Sequence, residues 1–583
     1  MKENNQLEIM RHSCSHLLAM AVFKLFPKTK LGIGPAIENG FYYDFEFEKP
    51  IVEKNLEKIE KEMEKIKKEA ITFEKKEITY EEAKKIFKNQ PYKLELIEDI
   101  KKEKGNSISI YKNTSFTDLC KGPHINNTSK IGPFKLLSLT GAYWKGSEKN
   151  KMLTRIYGTC FEDKKELNNY LKVIKEAKKR DHRKIGKELD LFCFSDLVGA
   201  GLPLYTPKGT ILKDELQKYV EEICQHYGFE KVMTPHLAKI ELFKLSGHAD
   251  KFREELFCVS SPRGHDFVMR PVLCPHQTQI YASKPRSYRD LPIRYMESEK
   301  QYRAEKTGEI GGLNRVYAIT IEDGHSFCRI DQVKDEIINI VNIIKDFYGG
   351  LGLWGKHWVS FSVRDYGHLE KYIGEAKDWD ECERILEEVA NEMKLDAKKR
   401  EGEAALYGPK LDFMFKDALG NEIQIPTVQL DFATPKRFGL NYIDQNGKKI
   451  SPVIVHRAIL GSYERLIALL IEYFVGAFPP WLSPIQAIII PITDKQKDYA
   501  QKIQKQLKEE KIRVNLDDRS ETVGAKIRDA EMQKIPYMII VGEKEIKSKN
   551  ISIRTRGGRV IGNMKLDKFI SLLKEDIDKK RQI

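Results

Sequence analysis

Residues whose types and spacing could do chemistry gather in three separate stretches of this 583-residue chain. In the first, His12 and His16 stand four apart on a segment whose apolar Leu17, Leu18, Ala21, Val22 and Leu25 recur at helical spacing, so both imidazoles share one helix face. Such a pair serves to bind a metal or to move protons, and its plain alternative is two partly exposed helix residues. The second stretch, Asp118-Leu119-Cys120-Lys121-Gly122-Pro123-His124, sets a carboxylate, a thiol and an imidazole where Gly-Pro forbids a regular helix. A loop results, free to converge on the histidine pair. The third, Arg270 to Phe327, holds Cys274, Arg303, Glu305, Arg315 and His325. Arginine stays charged and its planar fork takes two oxygens of a phosphate or carboxylate, so this stretch suits an anionic ligand. Taken one at a time, a cysteine is a small buried hydrophobe and a hairpin arginine a solvated surface charge.

These side chains need elements to position them. Apolar runs from Leu291 to Arg303 and from Leu313 to His325 flank the Gly-rich loop Ala304 to Gly312, which predicts a long antiparallel hairpin. Glu53 to Ala70 is charged but carries Leu56, Ile59, Met63 and Ile66 at alternating three- and four-residue steps, a narrow helical seam that packs on its own domain. Lys164 to Lys187 reads as a basic linker helix, solvated or meeting nucleic-acid phosphates. Within Pro452 to Glu472, PVIVHRAILGSYERLIALLIE, apolar Ile459, Leu460, Tyr463, Leu466, Ile467, Leu470 and Ile471 mark a helix with Gly461 to Arg465 inside it. After Ser483, strand-like Ala487 to Pro491, Ile512 to Val514 and Tyr537 to Val541 alternate with helical Lys495 to Lys508 and Lys526 to Lys534. The alternation predicts a small α/β domain with a mixed or parallel sheet.

Length and composition set bounds. A chain of 583 residues exceeds one core and needs about three domains. One hundred lysines and arginines against 86 acids give a net charge of +14, which suits a polyanionic partner, although compositional drift produces the same excess. Nine irregularly spaced cysteines indicate a reducing compartment. No apolar run approaches the ~18 residues of a membrane span, and Met-Lys-Glu-Asn-Asn carries no signal-peptide core, so a soluble cytoplasmic protein is expected.

Arg303-Ala304-Glu305 with Arg315 resembles the second signature motif of class II aminoacyl-tRNA synthetases. Gly461-Ser462-Tyr463-Glu464-Arg465 resembles their third, and Thr210 to Tyr227 with Glu230 to Pro235 their first. Leu406-Tyr407-Gly408-Pro409-Lys410 and Thr427 to Phe432 are similar to threonyl enzymes in particular. His12, His16, Pro91-Tyr92-Lys93, Gly34-Pro35, Phe41 to Phe45, Asp118, Cys120 and His124 resemble the editing domain of the bacterial threonyl family. The segment from Ser483 is similar to the anticodon-binding domain shared by threonyl, prolyl, histidyl and glycyl synthetases.

The resemblance implies an α+β multidomain protein: an α+β editing domain over 1–163, a linker helix over 164–188, a class II antiparallel-sheet core over 189–482 and an α/β anticodon-binding domain over 483–583. It implies ATP-dependent activation of L-threonine and its transfer to tRNA(Thr). Arg303, Arg315 and Arg465 would act on the phosphates, Asp323, Glu305, Tyr407 and Gln429 would bind substrate, and Mg²⁺ would come with ATP. It unites Cys274, His325 and His456 as ligands of one zinc per subunit, which their sequence separations alone do not. It assigns editing of seryl-tRNA to His12, His16, Lys93, Asp118, Cys120 and His124, with or without a metal. Arg519, Glu545 and Arg554 to Arg556 fall where anticodon contacts would lie, and the first motif implies a homodimer. The chain departs from the family pattern in beginning with the editing segment, without the usual N-terminal ubiquitin-like domain. It also carries Tyr317 and Ile321 where bacterial relatives usually carry Arg and Gln, and Ser520 for a residue commonly Asn. A prolyl-type class II synthetase and a non-catalytic RNA-binding paralogue are the alternatives.

Overall fold

The structure, a computed structural model, describes residues 2–104, 106–114, 116–147, 149–418 and 420–583. The chain forms two compact units, one ending at Lys175 and the other beginning at Glu176.

The first unit opens with α1 (Lys2–Leu25) and then sets β1 (Gly40–Glu46), α2 (Lys54–Lys68), β2 (Glu74–Thr79), α3 (Pro91–Lys104), β3 (Ser107–Asn113), β4 (Phe116–Leu119), β5 (Phe134–Tyr143) and β6 (Met152–Cys160). One sheet pairs β1 with β6 and β6 with β5, all antiparallel; a smaller one runs β2-β3-β4. The seam of α2 is buried as its spacing predicts, with Ile59 and Met63 packed into one core with Leu17, Leu18 and Val22 of α1 and Phe41, Tyr43 and Phe45 of β1. Over 164–188 the chain forms two helices, α4 (Lys164–Arg180) and α5 (His182–Glu188). Asp181 separates them, and its carboxylate caps the second by accepting the Arg183 N–H.

The second unit is built on an eight-stranded sheet. After α6 (Pro207–His226) come β7 (Glu230–Lys231), α7 (Cys274–Ala282), β8 (Ile293–Tyr302), β9 (Ala318–Cys328), α8 (Val333–Gly350), β10 (Trp358–Val363), β11 (Ala397–Glu401), β12 (Lys410–Lys416), β13 (Glu422–Asp431), β14 (Val453–Ser462) and α9 (Tyr463–Phe474). The sheet order is β7-β8-β9-β14-β13-β12-β10-β11, antiparallel through the middle with a parallel pair at each edge. The expected hairpin is β8 and β9, in register from Ile293 opposite Phe327 to Tyr302 opposite Ala318. Ile337, Ile340, Val341 and Ile344 of α8 are fully buried in the same core as Val428 and Val455.

The segment from Pro452 corrects one expectation. It is not a helix throughout: Ile459, Leu460 and Gly461 belong to β14, and the helix starts only at Tyr463, capped by Ser462 accepting the Arg465 N–H at 3.1 Å. β14 is the strand between β9 and β13, buried on both faces, and an unbroken apolar run of that kind has no period that separates strand from helix. Gly461 turns the chain from strand to helix with φ +58°, a conformation that suits glycine.

The C-terminal sheet is mixed, in the order β16 (Val514–Leu516), β15 (Ala487–Pro491), β17 (Tyr537–Val541), β18 (Ile551–Thr555), β19 (Val560–Met564). Its first three strands are parallel and its last two antiparallel. Among the described residues no helix is long and apolar enough to cross a membrane.

Candidate functional site

A cavity of about 430 Å³ opens on the middle strands of the large sheet, and ten of the residues expected to act on substrate or bind metal line it. The hairpin contributes Arg303, Glu305, Arg315, Asp323 and His325; β14 contributes His456; Cys274, Tyr407 and Gln429 close the wall, and Arg465 enters from the first turn of α9. Residues scattered along the sequence meet because β14 lies between β9 and β13: its register sets His456 opposite both His325 and Gln429.

Cys274, His325 and His456 are all buried, and their ligand atoms lie within 4.8 Å of one another. Their surroundings fix which ring nitrogens are free. His325 donates from Nδ1 to Oε1 of Gln277 at 2.7 Å, and His456 donates from Nε2 to Oδ2 of Asp431 at 2.9 Å. A lone pair therefore remains on Nε2 of the first and Nδ1 of the second, the condition for binding a metal. Two imidazoles and a thiol, each tied to an outer partner or buried, make a donor set that fits zinc. Tyr407 stacks on His456 with ring centroids 4.9 Å apart and donates its hydroxyl to Oε1 of Gln429 at 2.7 Å. Burial pushes the Asp323 carboxyl up to about 7.

Arg303, Arg315 and Arg465 line the same cavity. Arg465 is held by the backbone oxygens of Asn314 at 3.3 Å and Gln424 at 3.1 Å, and Arg303 by that of Pro271 at 3.3 Å. Burial lowers the pKa of Arg465, and the like charges of Arg303 and Arg315 lower it further, so this group of arginines favours an anion. Arg315 is half-exposed and paired with Glu305 at 2.6 Å and Glu309 at 2.8 Å. Tyr317 takes a structural position in the hairpin: its backbone carries hydrogen bonds from Arg303 and to Gly201, and its ring meets Phe257.

In the first unit, α1 and the loop after β4 bring His12, His16, Cys120 and His124 together, with ligand atoms again within 4.8 Å of one another. Beside them Lys93 and Asp118, both almost fully buried, form an ion pair at 2.5 Å. The second carboxylate oxygen of Asp118 accepts the Tyr43 hydroxyl at 2.7 Å and lies 3.7 Å from His16 Nε2. Burial pushes the Cys120 thiol up to about 11 and holds His16 and His124 well below the usual imidazole range. At neutral pH the cluster is a thiol among uncharged rings.

The C-terminal candidates are tied to partners within their own domain or its border. Arg519 follows the end of β16 and pairs with Asp517 at 2.7 Å and Asp529 at 3.0 Å; Glu545 follows the end of β17 and accepts the Gly542 N–H at 2.9 Å. Arg554 lies opposite Met538, at the other end of the sheet, and pairs with Glu531 at 3.2 Å. Arg556 turns inward, donating to the backbone oxygens of Phe478 at 2.6 Å and Lys534 at 3.1 Å.

Sequence reasoning missed the residues that orient the ligands. Gln277, Asp431 and Tyr43 were not among the expected site residues, and only their contacts give them a part in the sites.

With the geometry in place, comparison with known proteins is direct. Residues 257–474 match the tRNA synthetase class II core domain (G, H, P, S and T), residues 486–576 the anticodon binding domain, and residues 108–157 the threonyl and alanyl tRNA synthetase second additional domain. The threonine--tRNA ligase of Geobacillus kaustophilus is 46% identical over 99% of this chain and 88% of its own. The crystal structure of the RNA binding domain of threonyl-tRNA synthetase from Cryptosporidium parvum Iowa II is 32% identical, with a TM-score of 0.64 over 68% of this chain and 98% of that one. Prolyl-tRNA synthetase from Cryptosporidium parvum, complexed with L-proline and AMP, covers 68% of this chain and 76% of its own with a TM-score of 0.51. At 18% identity it shares the fold alone. With 46% identity to a threonine--tRNA ligase sustained over 99% of its length, the chain belongs to the threonyl-tRNA synthetase family.

Proposed function

We propose that the chain is a threonine--tRNA ligase that activates L-threonine with ATP in the sheet cavity, passes it to tRNA(Thr), and hydrolyses seryl-tRNA(Thr) at the cluster of the first unit. The observation that carries this reading is the convergence of the Cys274, His325 and His456 donor set with Arg303 and Arg465 on one cavity.

In the first step a carboxylate oxygen of threonine bonds to the α-phosphorus of ATP as the bond to the bridging β-phosphate oxygen breaks, and pyrophosphate leaves with the electron pair. Arg303 and Arg465, held by backbone oxygens, meet the charge on the phosphates without reorganising. Phosphate oxygens take the place of Glu305 and Glu309 on Arg315, and Mg²⁺ arrives with ATP. In the second step a terminal ribose hydroxyl of tRNA bonds to the acyl carbon as the bond to the phosphate oxygen breaks, and AMP departs with the electron pair, its phosphate taking up the hydroxyl proton.

A zinc held by Cys274, His325 and His456 would supply a Lewis acid with one or two positions left for the amino and hydroxyl groups of the substrate. Asp323 accepts the threonine hydroxyl, and the Tyr407–Gln429 pair shapes the side-chain pocket. A site of this kind rejects valine, which lacks the hydroxyl, by roughly 10⁴ to 10⁵. It does not reject serine as well, since one methyl is worth only about 1 to 3 kcal/mol.

A second site must therefore clear seryl-tRNA. The neutral rings of His12, His16 and His124 orient water on the ester carbonyl and take its proton as the oxygen bonds to the acyl carbon. The proton then passes to the departing ribose oxygen. Lys93 holds Asp118 against His16, so its charge orients the base as well as steadying the developing oxyanion. This route needs no metal.

We further propose a homodimer through α6 and the segment from Glu230 to Pro235, where Met233 is 81% exposed, and a cytoplasmic location, consistent with nine free cysteines. The test is charging: purified chain, ATP and tRNA(Thr) are expected to yield threonyl-tRNA, and failure with threonine alongside success with another amino acid overturns the proposal.

A further inference from the structure

The turn from Gly311 to Arg315 carries one cavity arginine and holds another. Gly311 and Arg315 face each other as a bridged pair, Arg315 lines the cavity, and the Asn314 carbonyl between them accepts the Arg465 Nε–H at 3.3 Å. A histidine that does not line the cavity holds this turn from behind. His182, 4% exposed, stands at the start of α5, where the Asp181 cap fixes the helix. Its Nε2 lies 3.1 Å from the Leu313 backbone nitrogen, and its Nδ1 lies 2.7 Å from Oε1 of Glu472 on α9. A backbone N–H only donates, so Nε2 accepts. Nδ1 then carries the ring proton and gives it to the carboxylate.

The contact leaves little room for the turn to shift. Leu313 is fully buried, and Gly312 lies against the ring with φ +52°; a Cβ there would stand 2.3 Å from Nε2. Glu472 is fixed in turn, because its other oxygen accepts the Ala418 N–H at 3.3 Å. Arg465 and Glu472 are seven residues apart on α9, two turns along one face. The hydrogen bonds therefore close a ring: Glu472 holds His182, His182 holds the turn at Leu313, and the turn holds Arg465 on the helix where the ring began.

We propose that His182 is a positioning residue for ATP, setting through the Leu313 N–H where Arg315 and Arg465 meet the phosphates. The proposal rests on the ligase reading above. It carries a sharp corollary, because His325 and His456 are held by other groups, Gln277 and Asp431. Loosening the turn disturbs the phosphates and leaves the threonine contacts in place.

The experiment uses the full chain with two replacements that separate the nitrogens of the ring. Asn sets an amide N–H near the place of Nδ1 and offers nothing to Leu313; Gln sets an amide oxygen near the place of Nε2, where it accepts the Leu313 N–H. Each variant is titrated with a nonhydrolysable ATP analogue and with threonine, and adenylate formation is followed in a single turnover. His182→Asn is expected to weaken analogue binding and slow adenylate formation by roughly 10- to 100-fold, with threonine affinity unchanged. His182→Gln is expected to recover most of both. Glu472→Leu, which removes the acceptor that fixes the ring, is expected to give the same split in a chain that keeps His182, and it decides the matter if His182→Asn does not fold. Analogue binding as in wild type for His182→Asn or Glu472→Leu, a loss in His182→Gln equal to that in His182→Asn, or threonine affinity falling in step with that for the analogue overturns the proposal. If wild type binds the analogue but forms no adenylate with threonine, the ligase reading fails, and the contrast between Asn and Gln in analogue binding still decides the part of His182.

Discussion

Gln277 accepts the Nδ1 proton of His325 at 2.7 Å, and the direction of that bond is imposed from behind. The Gln277 amide nitrogen faces Oε2 of Glu297 at 3.4 Å, a carboxylate that can only accept. Glu297 is itself held by the Thr234 N–H at 2.9 Å and by Arg270 at 3.2 Å. The amide cannot flip, so Nε2 of His325 is the nitrogen offered to a metal. Gln277→Leu is expected to weaken zinc binding by about 10- to 100-fold, measured by chelator competition, while the metal-free protein melts as wild type does. Unchanged affinity would remove Gln277 from any part in the site.

Arg303 is asked to meet charge that grows in the transition state. Arg303→Ala should cost about 3 to 4 kcal/mol in adenylate formation, the scale of losing one preorganised electrostatic group. Arg303→Lys should recover little of it, because a point charge does not replace a bidentate fork. Single-turnover formation of the adenylate measures both, and near-normal rates in either variant place Arg303 outside the chemistry.

Acid should loosen the first unit. His16 and His124 stay neutral in the fold, chiefly through burial, while in the unfolded chain they protonate near 6.5. Below that pH the unfolded state binds more protons, so the stability present above it is lost as pH falls, by about 1.4 kcal/mol per unit for each histidine. Melting curves between about pH 7 and 5 should slope less steeply for His16→Asn with His124→Asn than for wild type. Equal slopes contradict the buried neutral rings.

Gly461 should tolerate no side chain. Its φ is +58°, and a Cβ there would stand 2.8 Å from the Ile425 carbonyl oxygen, backbone that cannot step aside. The left-handed conformation alone costs an alanine about 1 to 2 kcal/mol. Gly461→Ala should lower denaturant stability by at least that much; a midpoint equal to wild type would show that the turn relaxes.

Much of this was legible in sequence, and the failures have physical causes. The hairpin could be read because Leu291 to Arg303 and Leu313 to His325 are two strand-like runs around a Gly-rich loop, and α2 because its seam recurs on one face. The strand over Val453–Ser462 could not, since burial on both faces erases the alternation that marks a strand. His456 reaches His325 only through sheet register, which sequence spacing does not encode. Gln277, Asp431 and Tyr43 act through hydrogen bonds to site residues, for which residue type gives no sign. Arg556, where RNA contacts were expected, donates to backbone carbonyls of Phe478 and Lys534, a partnership that residue type does not announce.

The most direct test of the account is ATP–pyrophosphate exchange by the full chain with each of the twenty amino acids. Threonine should give the highest kcat/KM, serine a value lower by about 10- to 200-fold, and valine one lower by roughly 10⁴ to 10⁵. Proline as the preferred substrate, or valine within tenfold of threonine, would contradict it.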